Sequence, residues 1–150
     1  MYLKIAKKTK KAYSLVHFLV FCCIFTTFFG ETMFNFLKYQ EIQDFIRKNE
    51  KIAKIVAISK NHPKESIIEA LKYGVRIFGE NKVQEAEKKF AELFKQYPNL
   101  ELHLTGSLQT NKVKSALHIF QVFQTLDREK LANEFLKFPD LTKDKNFLSN

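Results

Sequence analysis

Lys60 is the residue whose type and position most clearly favour covalent chemistry. It follows residues 54–59 (KIVAIS), a β-branched run that predicts a buried strand, and it shares one side of that strand with Val56 and Ile58. An ammonium group on an apolar wall is poorly solvated, which favours the free amine and its condensation with an aldehyde. The alternative is a surface lysine at a strand end. For Lys60 taken alone, in a chain with 25 basic residues, that alternative is favoured.

Polar side chains also follow three other predicted strands, at the point where each strand ends. They are Glu80 and Asn81 after the second strand, Gly106, Gln109 and Asn111 after the third, and Asp127 and Arg128 after the fourth. The carboxyl ends of parallel strands open on one face, where barrel enzymes build their active sites. We therefore expect these residues and Lys60 to gather on one face of the fold.

An alternation of strands and helices must position these residues. The predicted strands are residues 54–59, 75–79, 100–105 and 121–126, and the predicted helices are residues 34–49, 63–74, 82–97 and 111–120, with one more capped by Asp127. Such alternation with short linkers indicates a parallel sheet with right-handed crossovers. It suits either a small doubly wound sheet or half of a barrel.

The third predicted strand favours the barrel. Leu102 and Leu104 point to one side, and Glu101, His103 and Thr105 point to the other. One apolar and one polar face are typical of a barrel interior near a functional mouth, whereas a doubly wound sheet buries both faces in apolar contact. The expected fold is α/β, a partial TIM (β/α)₈ barrel of about four βα units in residues 33–150.

Residues 1–32 differ from the rest of the chain. Five lysines and Glu31 give them a net charge of +4 out of the total +9, and residues 12–30 are mostly apolar. This stretch is just long enough for a membrane-spanning helix of roughly 20 residues, and its basic start would stay cytoplasmic. We expect an N-terminal apolar helix, either a transmembrane anchor or, as we favour, sequence upstream of a domain that starts at Met33.

Composition excludes several classes of protein. The remaining positive charge is mixed with acidic residues and forms no aromatic-plus-basic stripe, which argues against a nucleic-acid partner. Cys22 and Cys23 are adjacent, so they form no disulfide framework, and no metal-ligand spacing occurs. A chain body without cysteine is compatible with the cytoplasm, where we expect this protein, membrane-tethered if residues 12–30 are an anchor.

Three short motifs together resemble one family. They are VAISK (56–60), FGENKVQE (78–85) and HLTGSLQTNK (103–112), and LDREKLA (126–132) resembles a fourth segment of the same family. The resemblance is to the pyridoxal phosphate homeostasis proteins, which have the alanine racemase-like barrel of fold-type III pyridoxal phosphate proteins. It covers residues from about 33 to 139.

The resemblance implies a function and site residues. Lys60 would hold pyridoxal 5′-phosphate as a Schiff base, and Asn81 and His103 would line the pocket around its ring. For His103 a hydrogen-bonded interior histidine is the alternative. The family binds and buffers the cofactor without an established catalytic reaction, so no catalytic residue is assigned. The rival interpretation is a fragment of a fold-type III enzyme, such as an amino-acid racemase.

The predicted units account for only part of a barrel. A complete (β/α)₈ barrel takes roughly 250 residues, and the Ser/Gly loops that form the family's phosphate cup do not occur before Asn150. The last ten residues, LTKDKNFLSN, resemble the approach to a fifth strand. We therefore expect a truncated member of the family.

Overall fold

The computed structural model describes residues 4–5, 18–22, 24–28, 31–49, 53–124 and 126–148. The chain divides into two compact units, Met1–Ile77 and Phe78–Asn150. Both units combine parallel strands with helices. The predicted α/β class is therefore confirmed.

The first unit contains five strands among its described residues. They are β1 (Lys4–Ile5), β2 (Phe18–Cys22), β3 (Phe25–Phe28), β4 (Glu31–Phe34) and β5 (Ala53–Ile58). β2 pairs with β1 on one side, antiparallel, and with β5 on the other, parallel. β3 and β4 form an antiparallel pair of their own.

The apolar helix predicted for residues 12–30 is wrong where the structure describes them. Residues 18–22 and 25–28 are strands β2 and β3, while residues 12–17, 23, 29 and 30 lie outside the described residues. The run is rich in phenylalanine, valine and threonine, which favour strands, and an apolar run alone does not separate a helix from a buried strand. Within the described ranges, no helix is long and apolar enough to cross a bilayer.

The described part of the first unit also contains two helices. α1 (Phe36–Lys48) follows Asn35, whose side-chain oxygen accepts a hydrogen bond of 2.9 Å from the Lys38 N–H. α2 (Lys64–Lys72) follows Pro63 and buries Ile67 and Leu71. Gly74, just beyond α2, has a φ of +86°, the left-handed conformation that commonly ends a helix.

The apolar residues of α1 are not buried in the structure. Leu37 and Phe45 are 72% and 66% exposed, and no residue of α1 is buried. The helix instead turns Tyr39 towards Phe34, with 5.8 Å between the ring centroids. A periodic pattern shows that a helix is amphipathic, but an aromatic neighbour elsewhere in the chain decided which side packs.

The second unit contains four strands and five helices among its described residues. They are β6 (Ile77–Glu80), α3 (Val83–Phe90), α4 (Leu93–Gln96), β7 (Glu101–Leu104), α5 (Val113–Ile119), β8 (Val122–Phe123), α6 (Glu129–Phe135), α7 (Pro139–Thr142) and β9 (Asn146–Phe147). The strands lie in the order β6-β7-β8-β9, with β8 parallel to β7 and to β9. β9 lies in the tail that was predicted to approach a fifth strand.

Two details of the second unit differ from prediction. The helix predicted for residues 82–97 is interrupted after Phe90, although its apolar residues Val83, Ala86 and Leu93 are buried as expected. Arg128, rather than Asp127, precedes α6, because the Asp127 carboxylate instead accepts a 2.8 Å bond from the Arg128 guanidinium. Leu136 follows the end of α6 and is 76% exposed.

Candidate functional site

Lys60 lies in a turn at the carboxyl end of β5. Ser59 is buried at the end of the strand, and the His62 N–H closes the turn with a 3.1 Å hydrogen bond to the Ser59 carbonyl. Asn61 has a φ of 62°, the left-handed conformation, which asparagine tolerates better than most residues. Unusual backbone of this kind is concentrated at functional sites. Asn61 was missed from the sequence, where an asparagine after a strand-end lysine was the available signal.

The environment predicted for Lys60 is wrong. The side chain was expected to leave the apolar wall of a strand, but β5 ends at Ile58 and Lys60 is exposed in the turn. The poorly solvated amine is therefore not observed. The position at the carboxyl end of the strand is as predicted.

An aromatic side chain from β3 supports this turn. Phe25 is buried and stacks on the His62 ring, with 4.6 Å between centroids and 28° between planes. Stacking of this kind limits the positions available to His62, two residues beyond Lys60. The turn is therefore held by its own backbone hydrogen bond and by β3.

The second unit has a cavity of about 490 Å³ at the carboxyl ends of β6 and β7. Its lining comes from two of the sequence motifs: Asn81, Lys82, Val83 and Gln84 from GENKVQE, and Gly106, Ser107, Leu108, Gln109 and Lys112 from GSLQTNK. Lys82 and Lys112 give it positive charge without an acidic residue among the lining side chains, which favours an anionic ligand.

The two loops that line the cavity are tied together. Thr105 donates two hydrogen bonds to the Glu80 carbonyl oxygen, from its N–H at 2.8 Å and from Oγ1 at 3.1 Å. A Cβ atom on Gly106 would lie 2.8 Å from both the Cβ and the carbonyl oxygen of Asn81, so only glycine fits there. Arg128, which follows β8, donates a 2.5 Å bond to the Leu108 carbonyl. Asn81, Gly106 and Arg128, which follow β6, β7 and β8, are thus linked through these loops. That all the strand-end residues gather with Lys60 on one face stays a prediction.

Asn81 offers the cavity an acceptor atom. Its Oδ1 is buried and has no hydrogen-bond partner among the described residues. A buried carbonyl oxygen left without a donor costs about 1–3 kcal/mol. A ligand or a water molecule that donates to Asn81 would recover that cost.

The next motif residue, Glu80, has a different role. Its side chain is fully buried, and Lys89 of α3, 11% exposed, contacts it at 3.0 Å while also contacting Glu85 at 2.7 Å. A buried carboxylate is tolerated when a cation pairs with it. Glu80 therefore fixes the end of β6 against α3 and is not placed to bind a ligand.

His103 is a buried residue of β7 with both ring nitrogens hydrogen-bonded. The Gln124 amide donates to Nδ1 at 2.6 Å, so Nε2 carries the proton and donates to the Glu101 carboxylate at 2.6 Å. This geometry matches the interior histidine that was the alternative in the sequence. His103 does not line the cavity, and a role for it beside a cofactor stays a prediction.

The remaining candidates lie apart from these interactions. Asn111 is exposed in a 3₁₀ turn, Thr110–Lys112, and does not line the cavity. Asp127 is exposed and pairs with Arg128. In the described part of the chain, no group of histidine, cysteine or acidic residues could hold a metal ion.

Known proteins resemble this chain in sequence. No family model matches it. It is 43% identical over 96 residues to the pyridoxal phosphate homeostasis protein of Buchnera aphidicola subsp. Schizaphis graminum. The aligned segment covers 62% of this chain and 42% of that protein. The pyridoxal phosphate homeostasis protein of Aquifex aeolicus is 42% identical over 90 residues, and the aligned segment covers 60% of this chain and 39% of that protein. The predicted resemblance to pyridoxal phosphate homeostasis proteins is confirmed.

Solved structures resemble it as well. PipY of Synechococcus elongatus, in a structure with pyridoxal phosphate bound, matches with a TM-score of 0.59 and 38% identity over 67% of this chain and 47% of PipY. A protein of unknown function from Bifidobacterium adolescentis, 21% identical with a TM-score of 0.61, shares the fold. The chain thus spans less than half the length of these relatives.

Proposed function

We propose that this chain binds pyridoxal 5′-phosphate, that it serves in the homeostasis of that cofactor, and that Lys60 holds it. The observation that carries the proposal is the placement of Lys60: an exposed primary amine in a hydrogen-bonded turn at the carboxyl end of a parallel strand. The pyridoxal phosphate homeostasis proteins that the chain resembles, and PipY with the cofactor bound, support it.

Each unit by itself offers groups that fit a ligand of this chemistry. When bound, pyridoxal phosphate supplies an aldehyde that a primary amine can attack and a phosphate dianion that cations attract. Lys60 is the amine at a strand end, and the exposed turn leaves it open to a ligand. Asn81 provides a buried acceptor, and Lys82 and Lys112 provide positive charge at the cavity of the second unit.

Each of these residues would contribute through its backbone conformation, its hydrogen bonds or its charge. Asn61 fixes the backbone from which the Lys60 side chain extends, which limits the positions of the amine. Asn81 accepts a hydrogen bond, and the lysines attract an anion through charge. His103 holds Glu101 and Gln124 in place through its two ring nitrogens, so its contribution would be to steady the end of β7 rather than to move a proton.

The proposal includes the barrel. We propose that β5, β6, β7 and β8 correspond to the first four strands of a (β/α)₈ barrel in residues 33–150, and that β9 begins the fifth. The parallel pairing of β7, β8 and β9 and the helix after each of the first four strands support it. A cytoplasmic location is part of the same proposal.

Reductive labelling tests the role of Lys60. The purified chain is incubated with pyridoxal phosphate and treated with borohydride, and the labelled lysines are located by mass spectrometry of peptides. We expect label at Lys60 well above that at Lys54, an exposed lysine at the other end of β5. Lys60→Ala should remove most of the label and Lys54→Ala should not. Equal labelling of Lys54 and Lys60 would reject the assignment.

A further inference from the structure

The pairing of β2 with β5 is the feature that the resemblance does not explain. Five consecutive residue pairs join the strands in parallel, from Phe18 with Ala53 to Cys22 with Ala57. β2 belongs to residues 1–32, which were predicted to precede the folded domain. Both faces of a strand in a parallel sheet are usually covered, and such strands are apolar throughout, as FLVFC in β2 is.

The position of β2 beside β5 corresponds to a strand position in a closed barrel. Every barrel strand has two neighbours, and because the barrel closes, the first strand pairs in parallel with the last. The chain spans 42% of the length of its Buchnera relative. We propose that β2 pairs with the edge of β5 that the closing strand occupies in a full-length relative. A segment of this same chain thus covers that edge. This inference rests on the barrel proposed above.

The segment after β2 is fastened to the rest of the first unit. Ile24 and Phe25 are buried, and the Ile24 carbonyl accepts a 2.6 Å bond from the Asn35 N–H. The Phe34 N–H donates a 3.0 Å bond to the Glu69 carboxylate of α2. Residues 18–34 are therefore attached by strand pairing at one end and by buried side chains and hydrogen bonds at the other.

Pairing with β2 removes an open strand edge from β5. An uncovered β5 would present unpaired backbone N–H and C=O groups beside Val56 and Ala57, which are fully buried. Open strand edges pair with other chains and lead to aggregation. β2 satisfies these groups, and it thereby steadies the strand that leads into Lys60.

Engineered disulfides test the pairing directly. In a Cys22→Ser/Cys23→Ser background of the full chain, Val20→Cys with Ile55→Cys places the two thiols on paired residues. Val20→Cys with Lys54→Cys is the matched control, because a shift of one residue directs the second thiol to the opposite face. We expect oxidation to cross-link the first pair within one molecule at least tenfold more than the second.

Three results would overturn the proposal: equal cross-linking of both pairs, no cross-linking of the first pair, or cross-linking only between molecules, which would make β2 the partner of a second copy. None of these cross-linking results depends on cofactor binding. The proposal about β2 can therefore fail while the role of Lys60 stands, and the role of Lys60 can fail while the proposal about β2 stands.

Hydrogen exchange provides an independent measurement. In Leu19→Pro/Val20→Pro one of the two prolines removes a backbone donor that faces β5, because alternate residues of a strand face opposite neighbours. We expect the amides of residues 53–58 to exchange on the order of tenfold faster than in Val20→Ile, which keeps the donor. Unchanged protection of these amides would show that β2 does not cover the β5 edge.

Discussion

The backbone of Asn81 comes so close to Gly106 that a single added methyl group would overlap it. A Cβ at position 106 would lie 2.8 Å from the Asn81 carbonyl oxygen and 3.0 Å from its Cα. These atoms belong to backbone and cannot rotate away. The contact joins the loops after β6 and β7 and defines the floor of the cavity they line.

Gly106→Ala should therefore destabilise the second unit. The added methyl forces the two loops apart, and overpacking of this kind costs typically about 1–3 kcal/mol. Urea unfolding followed by circular dichroism would measure it. Ser107→Ala, at the exposed neighbouring position, is the control and should change the free energy of unfolding by less than about 0.5 kcal/mol. If the two variants are equally stable, the loops are not in contact.

Removal of Lys89 should cost far more than removal of an exposed lysine in a similar ion pair. Lys89→Met leaves the carboxylate of Glu80 buried without its nearest cation, for which we expect a loss of about 3–5 kcal/mol in unfolding free energy. Lys137→Met, which breaks the exposed pair with Glu134, should cost at most about 1 kcal/mol. Similar losses in the two variants would mean that Glu80 is solvated.

The sequence predicted the second unit better than the first. Strand–helix alternation and the apolar spacing of Val83, Ala86 and Leu93 depend on neighbours along the chain, and the structure follows them. For residues 18–28 the pattern was equally compatible with a helix. The pairing with β5, more than 30 residues away, decides the strand, and no local signal contains it.

The site was predicted by residue type but not by environment. Lys60 and Asn81 follow strands as expected, because periodicity shows that a strand precedes each of them. The exposure of Lys60 depends on where β5 ends, and strand boundaries are poorly specified by sequence. The two hydrogen bonds of His103 come from Glu101 and from Gln124, which lies 21 residues away.

The ring of His103 should be found in a single tautomer. Because the Gln124 amide can only donate to Nδ1, the proton lies on Nε2 and is shared with Glu101. Nitrogen-15 NMR of labelled histidine would show, for the neutral His103 ring, an unprotonated Nδ1 and a protonated Nε2. Gln124→Leu leaves Nδ1 buried without a donor and should cost about 1–3 kcal/mol, while the Glu101 carboxylate still holds the proton on Nε2. A mixture of tautomers in the unaltered chain would contradict the hydrogen bonds described here.

Tyr39 should make the stability of the first unit depend on alkaline pH. Burial raises the pKa of its hydroxyl above the usual 10.0, and the nearby Arg76 guanidinium offsets part of that rise. Since the folded pKa exceeds the unfolded one, the folded state holds the proton longer. The stability contributed by Tyr39 is therefore complete below pH 10 and is lost as the pH rises through the folded pKa.

The alkaline titration of tyrosinate absorbance would measure this shift. Tyr39→Phe should remove a component whose midpoint lies above pH 10, and it should also reduce the loss of unfolding free energy as the pH rises above 10. Tyr73→Phe, which changes an exposed tyrosine of the same unit, is the matched control and should leave that late component in place. A component lost in Tyr39→Phe with its midpoint at or below pH 10 would show that Tyr39 is solvated and that α1 does not pack against Phe34 as described.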